Sequence, residues 1–109
     1  DKAEAEAILR DEILKHLDAM DQEIMLKLTL PSEANFYRPL IEHKNVMRVV
    51  ALSGGYSRED ANRLLAENTG MIASFSRALT EGLSDAQTDD VFNSTIADTI
   101  DSIYQASIT

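Results

Sequence analysis

The sequence contains no cysteine, no tryptophan and only two prolines among its 109 residues. The absence of cysteine excludes disulfides and metal sites built on thiolates, and it is compatible with the cytoplasmic location that we expect. Basic residues are also scarce, since ten lysines and arginines stand against nineteen acidic residues and the net charge is −9. We expect no binding to nucleic acid or to an anionic membrane, because both of these partners are polyanions.

Long hydrophobic runs are missing as well. No apolar stretch approaches the roughly 20 residues that cross a bilayer, and we expect no signal peptide at the start of the chain. The composition is that of an ordinary globular protein, with 44% hydrophobic residues, and the length allows at most one modest domain. Because Asp1 falls directly into a helical pattern, we expect the sequence to be part of a longer polypeptide.

A buried strand is predicted immediately before Pro31, because the preceding residues are rich in apolar side chains. Side chains alternate between the two faces of a strand. One face is entirely aliphatic and consists of Ile24, Leu26, Leu28 and Leu30. The other face carries a lysine between Met25 and Thr29. That lysine, Lys27, needs an explanation because an unpaired ammonium is costly to bury.

Three explanations of Lys27 compete. It can protect the edge of a sheet from aggregation, or its head group can reach water over an apolar stem. The third is an amine whose surroundings keep it neutral, so that it attacks a carbonyl and forms a Schiff base. The strand alone does not decide among them, because structural pairings also perturb lysines.

The pattern along the chain predicts the order α-βα-βα-βα. The helices are expected at 2–17, 33–43, 58–68 and 85–107, and the other two strands at 46–52 and 71–75. Pro39 should kink or divide the second helix. Strands joined through helices require right-handed crossovers and a parallel sheet. Three strands and four helices fit the C-terminal portion of a (β/α)8 TIM barrel, with the rest of the barrel outside this sequence, and a small open α/β domain is the alternative.

Local signals refine these elements. Ser32, Ser57 and Ser84 are each predicted to cap a helix, and Ser84 has Gln87 as its capping-box partner. The second strand is nearly uninterrupted in its apolar character, which predicts burial on both faces. The last helix is expected to pack through one stripe, formed by Phe92, Ile96, Ile100, Ile103 and Ser107.

Three features of interest fall at the carboxyl ends of the predicted strands, where parallel α/β folds hold their functional groups. They are Lys27, the turn Ser53-Gly54-Gly55, and the pair Ser74 and Arg77. The glycines alone are most simply a tight turn, and Arg77 alone could pair with Glu81. Together, glycine amides and a guanidinium can form an anion site. Such a site beside an amine nucleophile indicates a phosphorylated carbonyl substrate.

The three motifs resemble those of class I fructose-bisphosphate aldolases, particularly the bacterial branch. They read Met-Leu-Lys-Leu-Thr-Leu-Pro at 25–31, Val-Val-Ala-Leu-Ser-Gly-Gly-Tyr-Ser at 49–57, and Ala-Ser-Phe-Ser-Arg-Ala-Leu at 73–79. The resemblance implies that Lys27 forms the Schiff base with the ketone of fructose bisphosphate. It also implies that Ser53, Gly54 and Gly55 hold the phosphate nearest the ketone, with further contacts from Ser74 and Arg77.

Some features depart from the family or are missing. Ser76 stands where the animal enzymes have glycine, and Tyr104 does not correspond to the catalytic tyrosine of their mobile tail. The resemblance implies metal-independent catalysis without a cofactor. The family's proton-transferring residues lie on earlier strands, so the isolated chain is expected to be inactive. A non-catalytic phosphate-binding α/β module with a structural lysine is the competing interpretation, and the sequence leaves open whether copies assemble into a homo-oligomer.

Overall fold

The computed structural model describes all 109 residues, and helices alternate with strands along the chain. Helix α1 (Lys2–Asp18) precedes strand β1 (Ile24–Thr29) and the short helix α2 (Arg38–Ile41). Strand β2 (Val46–Leu52) and helix α3 (Arg58–Ala66) follow. The chain continues through strand β3 (Met71–Ala73), helix α4 (Ser76–Thr80) and helix α5 (Asp89–Ser107). The helices number five instead of four because the turn after β3 forms a helix of its own.

The three strands form one parallel sheet in the order β1-β2-β3. Lys27 of β1 lies opposite Val50 of β2, and Val50 lies opposite Ile72 of β3. The predicted α/β architecture with a parallel sheet is confirmed, and it is consistent with a portion of a TIM barrel. None of the helices combines the length and the apolar character that a membrane span requires.

The two faces of the sheet have different surroundings. One face is packed against the helices, and its buried side chains include Leu28, Leu30, Val49, Ala51 and Met71. The opposite face carries the exposed side chains of Met25, Lys27, Thr29 and Arg48. The expectation that β2 is buried on both faces is therefore wrong for its first half, because Met47 and Arg48 are exposed. Met47 lies where the register between β1 and β2 shifts.

Helix α2 is much shorter than predicted. Residues 34–37 form turns, because Asn35 adopts a left-handed backbone with φ 60° and interrupts the helical path. This residue exchanges hydrogen bonds with the end of α3, since its N–H donates to Asn68 Oδ1 and its own Oδ1 accepts from the N–H of Thr69. Ser32 does not cap a helix, because its hydroxyl and its N–H both donate to Glu6.

Helix α5 begins four residues later than predicted. Ser84 and Gln87 do interact, through a bond from Ser84 N–H to Gln87 Oε1, but this bond closes a turn. The helix is capped by Thr88, whose hydroxyl accepts from the N–H of Val91. The Ser57 cap of α3 is confirmed by its bond from the N–H of Asp60.

The predicted stripe of α5 is correct only in part. Ile103 is partly buried, and Ser107 accepts a hydrogen bond from the N–H of Ala73 in β3. Phe92 and Ile100 remain exposed. The fully buried positions of this helix are instead Thr99 and Ala106, because small side chains fit where α5 crosses α3 and β3.

Candidate active site

The carboxyl ends of the three strands enclose an open pocket of about 310 Å³. All six residues predicted from the sequence to form the site line it, and two others join them. The lining residues are Lys27, Leu52, Ser53, Gly54, Gly55, Ser74, Ser76 and Arg77. Residues separated by 50 positions in the sequence thus meet in one pocket, because the parallel strands bring their carboxyl ends to the same edge of the sheet.

The turn after β2 depends on its two glycines. Gly54 has φ +61° and Gly55 has φ +87°, and L-residues with side chains rarely adopt this left-handed region. The turn is closed by a hydrogen bond of 3.0 Å from the N–H of Tyr56 to the carbonyl of Ser53. Since glycines carry no side chain, these two residues line the pocket with backbone atoms alone.

The passage from β3 into α4 supplies the opposite wall. The N–H of Ser74 donates to the carbonyl of Ala51 at 2.7 Å, which continues the pairing with β2 beyond the end of the strand. Arg77 lies in α4 and lines the pocket. It does not pair with Glu81, whose carboxylate accepts from the N–H of Arg58 instead.

The pocket is positively charged in an acidic protein. Lys27 and Arg77 both line it, and no aspartate or glutamate does. Neither cation takes part in any of the ion pairs of the chain. Two uncompensated cations beside serines and glycine backbone are suited to an anion such as a phosphate.

Lys27 is exposed on the open face of the sheet, and β1 is an edge strand. The expectation of a lysine desolvated by an apolar strand is therefore not met within these 109 residues. The edge-strand interpretation agrees with the position of β1, although it does not account for a lysine that shares its pocket with Arg77 and the glycine turn.

Other polar residues lie away from this pocket. The imidazole Nε2 of His43 forms a hydrogen bond of 2.9 Å with Asp18 Oδ1. His16 lies on an exposed surface of α1. No cluster of three or more histidine, aspartate or glutamate side chains has the arrangement to hold a metal ion. The chemistry of the pocket therefore depends on an amine, a guanidinium, hydroxyls and backbone.

Sequence reasoning missed one polar cluster next to the pocket. Glu6 of α1 is almost fully buried, and Lys2 Nζ lies 2.9 Å from its carboxylate. Both carboxylate oxygens of Glu6 accept from the N–H of Ser32, at 3.1 and 3.0 Å. The spacing of four residues between Lys2 and Glu6 was the available signal, but the burial of Glu6 depends on the distant loop after β1.

Several known proteins are similar in sequence to this chain. No protein-family model matches the chain. The class 1 fructose-bisphosphate aldolase of Porphyromonas gingivalis is 58% identical over 108 residues, covering 99% of this chain and 37% of that protein. This chain is similar in sequence to class 1 fructose-bisphosphate aldolases.

Two further aldolases match the whole of this chain. The class 1 fructose-bisphosphate aldolase of Synechocystis sp. is 59% identical over 111 residues and that of Clostridium acetobutylicum is 53% identical over 111 residues. Each match covers 100% of this chain. The matched part is 37% of the Synechocystis protein and 38% of the Clostridium acetobutylicum protein. The chain therefore spans little more than a third of the length of the curated aldolases it matches.

Proposed function

We propose that this chain supplies the Schiff-base lysine and the phosphate pocket of a class I fructose-bisphosphate aldolase. Such an enzyme reversibly cleaves fructose bisphosphate to dihydroxyacetone phosphate and glyceraldehyde 3-phosphate, a step of glycolysis, and we assign it to the cytoplasm. The observation that carries the proposal is the pocket that Lys27 and Arg77 share with the glycine turn, without any carboxylate. Similarity to aldolases over the whole chain supports it independently.

In the proposed reaction, the neutral amine of Lys27 attacks the ketone carbon of the substrate and water is lost. The resulting iminium withdraws electrons, so the adjacent carbon–carbon bond breaks without a free carbanion. Glyceraldehyde 3-phosphate leaves first. As it leaves, its hydroxyl gives up a proton and the electron pair of the broken bond forms an enamine on Lys27. Protonation of the enamine carbon restores the iminium, and hydrolysis of this iminium releases dihydroxyacetone phosphate and regenerates the amine. The sequence of steps needs neither a metal nor a cofactor.

The phosphate nearest the ketone is assigned to the other side of the pocket. Arg77 supplies charge-assisted hydrogen bonds, and the backbone of Gly54 and Gly55 allows a close approach of the phosphate oxygens. The hydroxyls of Ser53 and Ser74 complete the proposed contacts. Holding the phosphate in this way orients the ketone towards Lys27, and such positioning can contribute several kcal/mol to the rate enhancement.

Proton transfer requires groups that this pocket does not contain. No carboxylate lines it, and general acid–base catalysis needs a titratable group within hydrogen-bond reach of the reacting atoms. We therefore propose that residues 1–109 form the C-terminal part of a TIM barrel whose other strands supply these groups. The isolated chain is then expected to bind phosphate weakly and to be inactive as an aldolase.

The proposal is tested by trapping the imine in the full-length protein that contains this chain. The protein is incubated with dihydroxyacetone phosphate, reduced with borohydride, digested, and mapped by mass spectrometry. We expect the reduced adduct on Lys27 and its loss in the Lys27→Arg variant, while Lys15→Arg serves as the control because Lys15 is exposed on α1.

The same experiment separates the competing interpretation. A phosphate-binding module with a structural lysine would bind inorganic phosphate in the Arg77-dependent manner proposed here, yet give no adduct on Lys27. Absence of the adduct in a folded protein would therefore reject the aldolase assignment and favour a binding function.

A further inference from the structure

The cluster of Lys2, Glu6, Ser32 and Tyr56 lies beside the pocket but does not line it. Its ammonium, Lys2 Nζ, has several partners, and one of them is the Ser32 hydroxyl at 3.4 Å. The ammonium also pairs with Glu6 at 2.9 Å, donates to the carbonyl of Leu30 at 2.8 Å, and lies 5.8 Å from the centroid of the Tyr56 ring. One side chain of α1 therefore contacts both the end of β1 and the loop after β2.

These contacts reach the two walls of the candidate site. Leu30 lies three residues after Lys27 along the extended chain, a path of roughly 10 Å. Tyr56 directly follows Gly55, so its ring is attached to the end of the glycine turn. Lys2 thus joins the strand that carries the amine to the turn that is assigned to the phosphate.

Glu6 binds the loop after β1 through Ser32. Its side chain is only 6% exposed, and it accepts the N–H of Ser32 with both oxygens as well as the Ser32 hydroxyl at 3.0 Å. Burial alone would raise the pKa of Glu6, but the hydrogen bonds from Lys2 and Ser32 outweigh it and lower the pKa below 4.5. The carboxylate is therefore charged at neutral pH and keeps its bonds to the loop.

A purely stabilising role explains this cluster poorly. Only Glu6 of the pair is buried, since 46% of the Lys2 side chain is exposed, and an ion pair with an exposed partner adds little to stability. What such a pair does provide is a defined geometry, because each of its hydrogen bonds constrains a backbone group. Here the constrained groups are the backbone of Leu30 and Ser32, immediately beyond the strand of Lys27.

We propose that Lys2 and Glu6 are positioning residues, which fix the distance between the Lys27 amine and the glycine turn through Leu30, Ser32 and Tyr56. The inference rests on the proposed function, because the distance matters only if amine and phosphate site act on one substrate. Small displacements of reacting groups cost large factors in rate. Loosening this cluster should therefore impair both phosphate binding and catalysis without removing any group that touches the substrate.

The test uses the full-length protein that contains this chain, with Lys2→Met as the main variant. Lys2→Arg is the conservative variant, since arginine can keep the pairing with Glu6 and stack on Tyr56. Lys15→Met is the matched control on the same helix, because Lys15 is an exposed lysine of α1. The measurements are kcat and KM for fructose bisphosphate, Kd for inorganic phosphate, and Tm.

We expect Lys2→Met to lower kcat/KM at least about tenfold and to raise the Kd of inorganic phosphate several-fold. Lys2→Arg should recover both quantities to within about threefold, and Lys15→Met should match the unaltered protein. If Lys2→Met lowers Tm but leaves kcat/KM and the phosphate Kd within twofold, Lys2 is only structural and the proposal fails. Equal losses in Lys2→Arg and Lys2→Met would also reject it.

Two provisions keep the outcome decisive. If Lys2→Met does not fold, the double variant Lys2→Met/Glu6→Gln replaces it, because it leaves no unpaired charge in the protein interior. If the unaltered protein gives no imine adduct on Lys27, the aldolase assignment and the positioning role both fail, whereas an adduct together with unchanged kcat/KM in Lys2→Met rejects the positioning role alone. A protein that binds neither phosphate nor dihydroxyacetone phosphate contradicts both proposals.

Discussion

Two lysines lie near the carboxyl end of the same strand, and their surroundings are opposite. Lys2 has a carboxylate at 2.9 Å and a backbone carbonyl at 2.8 Å. Lys27 lies in a pocket that holds a second cation, Arg77, and no carboxylate. An ammonium that is paired on several sides is held in place and orders the groups around it, whereas an ammonium without a counterion is available to a ligand.

The lack of a counterion near Lys27 is informative because the whole chain is acidic. With a net charge of −9, a randomly placed lysine would readily find an acidic neighbour. The exclusion of every aspartate and glutamate from the pocket of Lys27 and Arg77 is therefore informative. The pocket attracts an anion because the protein itself does not neutralise it.

The largest effect is expected when the unpaired lysine is removed. Lys27→Met in the full-length protein should lower kcat by at least about a thousandfold, because no other amine lines the pocket and only an amine can form the imine. Steady-state kinetics of fructose bisphosphate cleavage measure this, with Lys44→Met as the control at an exposed lysine. Activity within tenfold of the unaltered protein would show that Lys27 is not the nucleophile.

The second cation of the pocket should affect binding more than chemistry. Arg77→Met is expected to weaken inorganic phosphate binding about 10- to 100-fold, the usual loss for a charge-assisted hydrogen bond. Titration calorimetry on the full-length protein measures the Kd, and Arg63→Met on α3 is the control because Arg63 is exposed. An unchanged Kd would remove Arg77 from the phosphate site.

Loss of the paired carboxylate should reduce stability. Glu6→Gln is expected to lower the free energy of unfolding at pH 7 by about 1–3 kcal/mol, because the loop at Ser32 loses a charged acceptor. The pKa of Glu6 is lowered in the folded state, so its contribution is present above pH 4.5 and is lost as the pH falls through the lowered pKa.

Urea unfolding at a series of pH values measures this contribution. The curves for the unaltered protein and for Glu6→Gln should converge in acid, because a protonated glutamate and a glutamine carry the same charge. Glu23→Gln, at an exposed position, is the control. A stability difference that does not change with pH would show that the charge of Glu6 is unimportant.

The smallest effect is expected at Tyr37, which is fully buried and whose hydroxyl has no hydrogen-bond partner. Burial, assisted by the charge of Glu6, raises the pKa of Tyr37, so the hydroxyl stays neutral in the folded protein. Tyr37→Phe removes an unsatisfied polar group and should be neutral or stabilise by up to about 1 kcal/mol. A clear loss in a thermal unfolding experiment would contradict this.

The elements that could be predicted from the sequence are those set by local patterns. The nearly uninterrupted apolar run of β2 and the Ser57 cap of α3 lie where the pattern indicates them. The pocket residues also come together as expected, because parallel strands bring their carboxyl ends to one edge whatever the details of packing. Their chemical roles stay predictions.

The features that the sequence did not reveal depend on contacts between distant segments. Ser32 has the right position to cap a helix, yet its hydrogen bonds go to Glu6, 26 residues earlier. Asn35 leaves the helical region because its side chain and backbone bond to the end of α3. A helix signal read from neighbouring residues cannot account for partners that only the folded chain provides.

The central claim is that the amine of Lys27 and the anion pocket form one site. It is tested most directly by trapping dihydroxyacetone phosphate with borohydride in the full-length protein while inorganic phosphate is added in increasing amounts. We predict that the adduct on the Lys27 peptide decreases as phosphate saturates the pocket, and that background labelling of Lys2 and Lys15 does not change. An adduct on Lys27 that is insensitive to phosphate would contradict a shared site.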